Sequence, residues 1–172
     1  MRGLWMAGIA LALVAAGGGT TGAATMASEA PGSEAPGHEA PVAMSVRAVG
    51  QVRGQSVVLL EDAGGARRLP IWIGDLEAGA IDMRVKKVKA QRPLTHDLLE
   101  ASLAALGAKV ERVDVTALRD GVFYGRLTLK DARGGLRVID ARPSDCIALA
   151  VGAGLPVWVA PSVLRAAAAD AP

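Results

Sequence analysis

Cysteine occurs once in the 172 residues, at Cys146, so no disulfide within the chain can brace the fold. With that one cysteine and two histidines there is no Cys/His cluster of zinc-ligand spacing. A phosphate-cradling P-loop and a dinucleotide glycine fingerprint are both missing, and the Gly17-Gly18-Gly19 run belongs to an N-terminal targeting segment. The apolar stretch from Leu4 to Ala16 falls short of the roughly 20 residues a membrane helix needs. These absences set aside disulfide scaffolds, zinc modules and the common nucleotide-binding enzymes.

What is present begins with a leader. The amino terminus and Arg2 give a positive start, the apolar run follows, and Gly22-Ala23-Ala24 makes a small-residue exit. Residues 1–24 are therefore expected to be a signal peptide, and the mature protein to be exported, periplasmic or extracellular, without stable membrane insertion. Residues 25–41 repeat Ser-Glu-Ala-Pro-Gly at Ser28 and Ser33, with a variant at His38. Such a segment cannot bury apolar surface and is expected to be a disordered or semi-extended linker. Residues 42–172 are long enough for one domain with a real core. They carry 18 Lys and Arg against 14 Asp and Glu, an excess that permits a polyanionic partner without requiring one.

Within that domain strands alternate with helices. Strands are expected at Ser45 to Val52, Gln55 to Glu61 and Arg68 to Ile73, then a helix from Leu76 to Val85 and another from Thr95 to Leu106. Asp120-Gly121 marks a hairpin between Ala108–Leu118 and Val122–Lys130. A strand and helix follow through Leu136 to Val151, then a short strand at Pro156 to Ala160 and a helix at Val163 to Ala169. Ile71 to Ala78 and Val138 to Cys146 both run from strand through a short turn to an acid early in a helix. The expected fold is α+β, a mixed, largely antiparallel sheet with packed helices, with a duplicated β-β-β-α unit as the account of that echo.

Two polar knots interrupt the apolar patterning. In the first, Leu136, Val138 and Asp140 share one face of a strand, with Ile139 and Ala141 on the other. Pro143 suits the first helical position, which places Ser144 and Asp145 among the free N–H groups of the first turn. Cys146 to Val151 is apolar on every side and so should be buried, which makes Cys146 a packing residue. In the second knot Thr95 is a natural N-cap, His96 and Asp97 fill the first turn, and Leu98, Leu99, Leu103 and Leu106 form a stripe closed by Gly107. His96 is the one histidine outside the linker, and histidine is the side chain suited to proton transfer near neutrality. An acid in a first turn also serves simply as a cap. Between the knots Arg84, Lys86, Lys87, Lys89 and Arg92 put five basic residues into nine, a run that can track a phosphate backbone or merely be solvated. No aromatic residue interleaves with it, so base stacking has no platform there.

Leu69-Pro-Ile-Trp-Ile-Gly74 with Glu77-Ala78, then Arg92-Pro-Leu-Thr-His-Asp97, then Asp120-Gly-Val-Phe-Tyr124, then Ile139-Asp-Ala-Arg-Pro-Ser-Asp145 resemble, in this order, the bifunctional nuclease (BFN) domain. The resemblance runs from about Ser45 to Leu164. Cys146 departs from it, standing where alanine is expected, and so does the export signal. It implies a nuclease, a hydrolase acting on DNA and RNA; with no stacking platform in the basic run, cleavage is expected to be without sequence specificity. Phosphodiester hydrolysis commonly uses carboxylate-held Mg²⁺ or Mn²⁺, and the suitable oxygen ligands are Glu77, Asp140 and Asp145. Arg142 suits a phosphate clamp and Ser144 lies beside it, while His96 suits a general base or acid oriented by Asp97. The rival is a non-enzymatic module that binds a small anion or a partner through the same helix ends. A homo-oligomer with both knots between subunits is a third reading.

Overall fold

The computed structural model describes residues 39–169. The expected signal peptide and the linker as far as His38 lie outside the described residues. Strands β1 (Val42–Val52), β2 (Gln55–Asp62) and β3 (Arg68–Trp72) lead into helix α1 (Asp75–Val85), and α2 (Thr95–Ala105) follows. Strands β4 (Lys109–Arg119), β5 (Val122–Lys130) and β6 (Leu136–Ala141) lead into α3 (Pro143–Ala153), and β7 (Val157–Val159) and α4 (Pro161–Ala169) complete the described chain. Among the described residues no helix is long and apolar enough to cross a membrane.

The seven strands form one mixed sheet in the order β3-β2-β1-β7-β4-β5-β6, antiparallel except where β7 runs parallel to β4. This is the α+β domain expected, and the sequence echo has a spatial counterpart. Each β-β-β-α run fills one half of the sheet, with its first strand innermost and its third at an edge. Both first hairpins are two-residue turns: Arg53-Gly54 and Asp120-Gly121 each hold both residues at positive φ, the twist-matched type I′ geometry. Each edge strand then passes directly into a helix, so the starts of α1 and α3 are corresponding points of the two halves.

Helix α3 is the centre of the core. Cys146, Ile147, Ala148, Leu149 and Ala150 are all fully or almost fully buried, against Val113 and Val115 of β4 and Val157 and Val159 of β7. A helix apolar on all sides has no other stable place. Its entry needs a close approach: a Cβ on Gly125 of β5 would lie 2.7 Å from the Ala141 carbonyl oxygen and 3.1 Å from Pro143 N. Glycine there lets the β6–α3 turn settle directly on the sheet.

Helix α2 departs from expectation. Its stripe does not face the core, because α2 lies at the periphery against α3 and β4. Leu98, Leu99 and Leu106 are exposed and only Leu103 packs on the core. Thr95 is the first helical residue rather than the cap. The Leu94 carbonyl accepts the first helical hydrogen bond from Leu98 N–H, and the Leu94 N–H is satisfied by donating to Asp97 Oδ2 at 3.0 Å. With Asp97 reaching back, no hydroxyl cap is required. Gly107, at φ 68°, closes the helix as read from the sequence.

Candidate active site

Glu77 and Asp145 are each the third residue of their helices, at matching points of the two halves. Gly74 precedes α1, and a Cβ there would collide with the Glu77 carboxylate, so the glycine lets Glu77 fold back over the helix start. Arg142 stands at the entry to α3 and joins the two acids. It donates from Nε to Asp145 Oδ2 at 2.8 Å, from Nη2 to Asp145 Oδ1 at 3.1 Å and from Nη1 to Glu77 Oε1 at 2.8 Å. From α2, His96 places Nε2 3.2 Å from Asp145 Oδ1, with only 13% of its side chain exposed. The cluster is thus Glu77, Arg142, Asp145 and His96, drawn from three helix starts.

Burial alone would raise the Asp145 carboxyl, but hydrogen bonds from Arg142 and His96 outweigh it and hold the pKa below the ordinary carboxylate range. Those same carboxylates, Asp145 first and then Glu77, push the Arg142 guanidinium further up, so it stays charged. Cys146, next in line, is pushed up to about 12, by burial first and then by Asp145, Asp114 and Asp140. A thiol so protonated and buried is no nucleophile, as its packing role requires.

A depressed acid stabilises the fold above its unfolded pKa, near 3.9, and that contribution is lost as pH falls through the still lower folded value. Asp145→Asn is therefore expected to cost about 1–2 kcal/mol at pH 7. In denaturant unfolding the gap to wild type should close below about pH 4. A gap independent of pH would mean that the Asp145 charge is not what Arg142 and His96 hold.

Three residues expected to act in catalysis or on the phosphate backbone are engaged differently. Asp140 faces Arg126 across β5 and β6, and Arg126 in turn faces Asp114. Strand alternation turns the Asp140 side chain to the face opposite Ile139 and Ala141, and although Asp140 borders the cleft between α2 and β6, it makes no hydrogen bond to Asp145, Arg142 or His96 among the described residues. Asp97 does not orient His96: its Oδ1 accepts from Arg84 Nη2 at 2.6 Å. Arg84 itself is turned inward, its side chain 12% exposed, donating also to Glu100 at 2.8 Å and to the Ala148 carbonyl at 3.2 Å. It ties α1, α2 and α3 together and is not a free phosphate contact. Arg84→Met should lower stability by about 1–2 kcal/mol, because it breaks the ties that hold α1 to α2 and to the Ala148 carbonyl of α3, while water re-solvates the part-exposed Asp97 and Glu100. Unchanged unfolding with weakened nucleic-acid binding would reverse that assignment.

Of the remaining basic residues, Lys86 pairs with Asp82 at 2.7 Å, and Lys87, Lys89 and Arg92 are exposed. Lys89 and Arg92 border a cleft of about 310 Å³ that His96 also lines. The expected metal site is not assembled. Among the described residues no three of His, Cys, Asp and Glu converge to hold an ion. Glu77 and Asp145 already share a guanidinium, and Asp140 is on the other face of the sheet, so this donor set does not fit a divalent cation.

Three further clefts meet at Arg142. One, of about 550 Å³, runs past Leu76, Pro93, Leu94 and His96. A second, of about 650 Å³, lies between α2 and β6, past Leu99, Leu103 and Ile139. The third, of about 320 Å³, lies between the end of β3 and the β4–β5 turn, past Trp72, Gly74, Phe123 and Ser144. Trp72 is the residue that sequence reading passes over. Its parity on β3, out of step with buried Leu69 and Ile71, is the signal that puts it outside the core.

The class so defined is an α+β domain with a charged site where the two halves of a repeated sheet-and-helix unit meet. Residues 57–172 match the bifunctional nuclease domain model. Uncharacterized proteins from two strains of Mycobacterium tuberculosis, CDC 1551 / Oshkosh and ATCC 25618 / H37Rv, are each 43% identical over 126 residues, 71% of this chain and 74% of theirs. The chain belongs to the bifunctional nuclease domain family, whose description points to nuclease-type function and nucleic-acid binding. Strand β1, ahead of the matched residues, still sits inside the sheet between β2 and β7.

Proposed function

We propose that the protein hydrolyses phosphodiester bonds of DNA and RNA, without sequence preference, at the cluster built on Arg142. One observation carries this. Arg142, its side chain 64% exposed, gives three N–H donors to Glu77 and Asp145. A guanidinium has about five, so two are left for phosphate oxygens. Glu77 and Asp145 fix the plane of the fork, and the fork offsets the charge that grows on phosphorus-bound oxygens as water attacks. Ionised Asp145 accepts a hydrogen bond from His96 Nε2–H, which leaves Nδ1 free to take a proton from the attacking water. The P–O ester bond then breaks, and the leaving oxygen is protonated by solvent.

Because the carboxylates as arranged do not fit Mg²⁺ or Mn²⁺, no step is routed through a cation. Lys87, Lys89 and Arg92 are proposed to follow the backbone away from the scissile phosphate. Neutralising these three should lower the slope of log affinity against log salt by about 0.7–0.9 per lost contact, similarly for all sequences. An unchanged slope returns the loop to solvated surface. Export is likewise proposed, from the leader, and N-terminal sequencing of the mature protein should begin between Gly22 and Ala27.

The test of the reaction is incubation of the full chain with labelled single-stranded and duplex DNA and RNA, in EDTA and in Mg²⁺ or Mn²⁺. Cleavage that Arg142→Ala abolishes supports the reading. No cleavage under any condition would leave an anion- or partner-binding module. Cleavage that needs the cation and survives Arg142→Ala would mean that the ion takes the place of the guanidinium between Glu77 and Asp145.

A further inference from the structure

We propose that Trp72 is a stacking platform for an unpaired base next to the phosphate held by Arg142, which makes single-stranded nucleic acid the preferred substrate. The inference rests on the nuclease reading of Arg142 and adds to it the class of substrate. Trp72 ends edge strand β3 with 49% of its surface exposed, an unusual place for the largest apolar side chain. It lines the same cleft as Glu77, Arg142 and Ser144. Two of the other three aromatic rings of the domain already carry a cation. The Arg112 guanidinium lies 4.6 Å from the centroid of the Trp158 ring, and that of Arg119 lies 5.6 Å from the centroid of Tyr124. Among the described residues Trp72 has no such cation over it.

A free indole beside an arginine in one cleft presents an apolar plane and an anion clamp together. Polynucleotides carry that pairing of chemistries at every residue, an aromatic base next to a phosphate, and charge complementarity with Arg142 sets which end goes where. Every base has a π face, so stacking tolerates any sequence, in keeping with non-specific cleavage. A base inside a duplex has both faces covered by its neighbours, so only an unpaired or splayed base can lie on Trp72. The walls beside the ring, Ile73, Val122 and Phe123, are apolar and suit a desolvated base.

Trp72→Ala and Trp72→Phe in the full chain test this, each compared with wild type in two assays. One is steady-state cleavage of a single-stranded oligonucleotide and of the same sequence as duplex. The other is fluorescence anisotropy of a labelled oligothymidylate, which needs no turnover. Trp72→Ala should raise KM and Kd for the single strand about 5- to 100-fold with kcat nearly unchanged, and Trp72→Phe should recover most of the loss. The preference for single strand over duplex should shrink with it. Equal KM and Kd in Trp72→Ala and wild type would overturn the proposal while leaving the nuclease reading intact. A chain that cleaves nothing but binds the oligothymidylate in a Trp72-dependent way supports the platform and removes the nuclease reading instead.

Discussion

Arg142→Lys is expected to lower kcat/KM for nucleic-acid cleavage about 10²- to 10³-fold, although it keeps the charge. The guanidinium satisfies Glu77 and both oxygens of Asp145 and still has N–H groups to offer. A lysine ammonium has only about three donors, all on one atom, and cannot bridge two acids and also clamp a phosphate. The loss should fall on both the binding and the rate of chemistry, since the same donors meet the phosphate in the ground state and in the transition state. Thermal unfolding of the variant should stay close to wild type, because Arg142 is largely exposed and exposed ion pairs contribute little. Wild-type cleavage by Arg142→Lys would reduce Arg142 to a point charge, and the fork geometry would have no part in the reaction.

The framework of the fold is legible in sequence because it rests on local periodicity and turn chemistry. Asp120-Gly121 sits at positive φ as a hairpin demands, and the apolar run after Pro143 is buried on every side. The repeated passage from strand to acid-bearing helix shows itself as the two halves of one sheet. Failures come where a residue's partner is distant in the chain. The α2 stripe has proper helical spacing, but spacing alone does not say whether a core lies opposite, and here Leu98 and Leu106 face solvent.

The site divides in the same way. That Asp145, Arg142 and His96 are the polar groups grouped at helix starts follows from their residue types, and the structure brings these three together with Glu77. The pairing of Asp97 with Arg84 cannot be read locally, since it spans two helices and a loop and only packing decides it. Asp140 is different. Its parity with Leu136 and Val138 already separates it from Ala141 and the turn beyond, so strand alternation alone argues against grouping it with Asp145.

His96→Gln separates catalysis from scaffolding at the remaining member of the cluster. The glutamine amide can donate to Asp145 as His96 Nε2 does, so the hydrogen bond at 3.2 Å has a substitute and the Arg142–Asp145 pair keeps its setting. What glutamine lacks is a nitrogen that takes up a proton. If His96 moves the proton of the attacking water, kcat should fall about 10²- to 10⁴-fold with KM little changed, and the limb of the pH–rate profile that reports the base should vanish. His96→Ala should lose as much rate and, by leaving Asp145 without one of its three hydrogen bonds, should also lower stability by about 1 kcal/mol. Equal rates for His96→Gln and wild type, with a deficit only in His96→Ala, would make His96 a positioning residue for Asp145. The attacking water would then need another base, and the carboxylate of the cluster that could serve is Glu77, which takes a single hydrogen bond from Arg142, at Oε1.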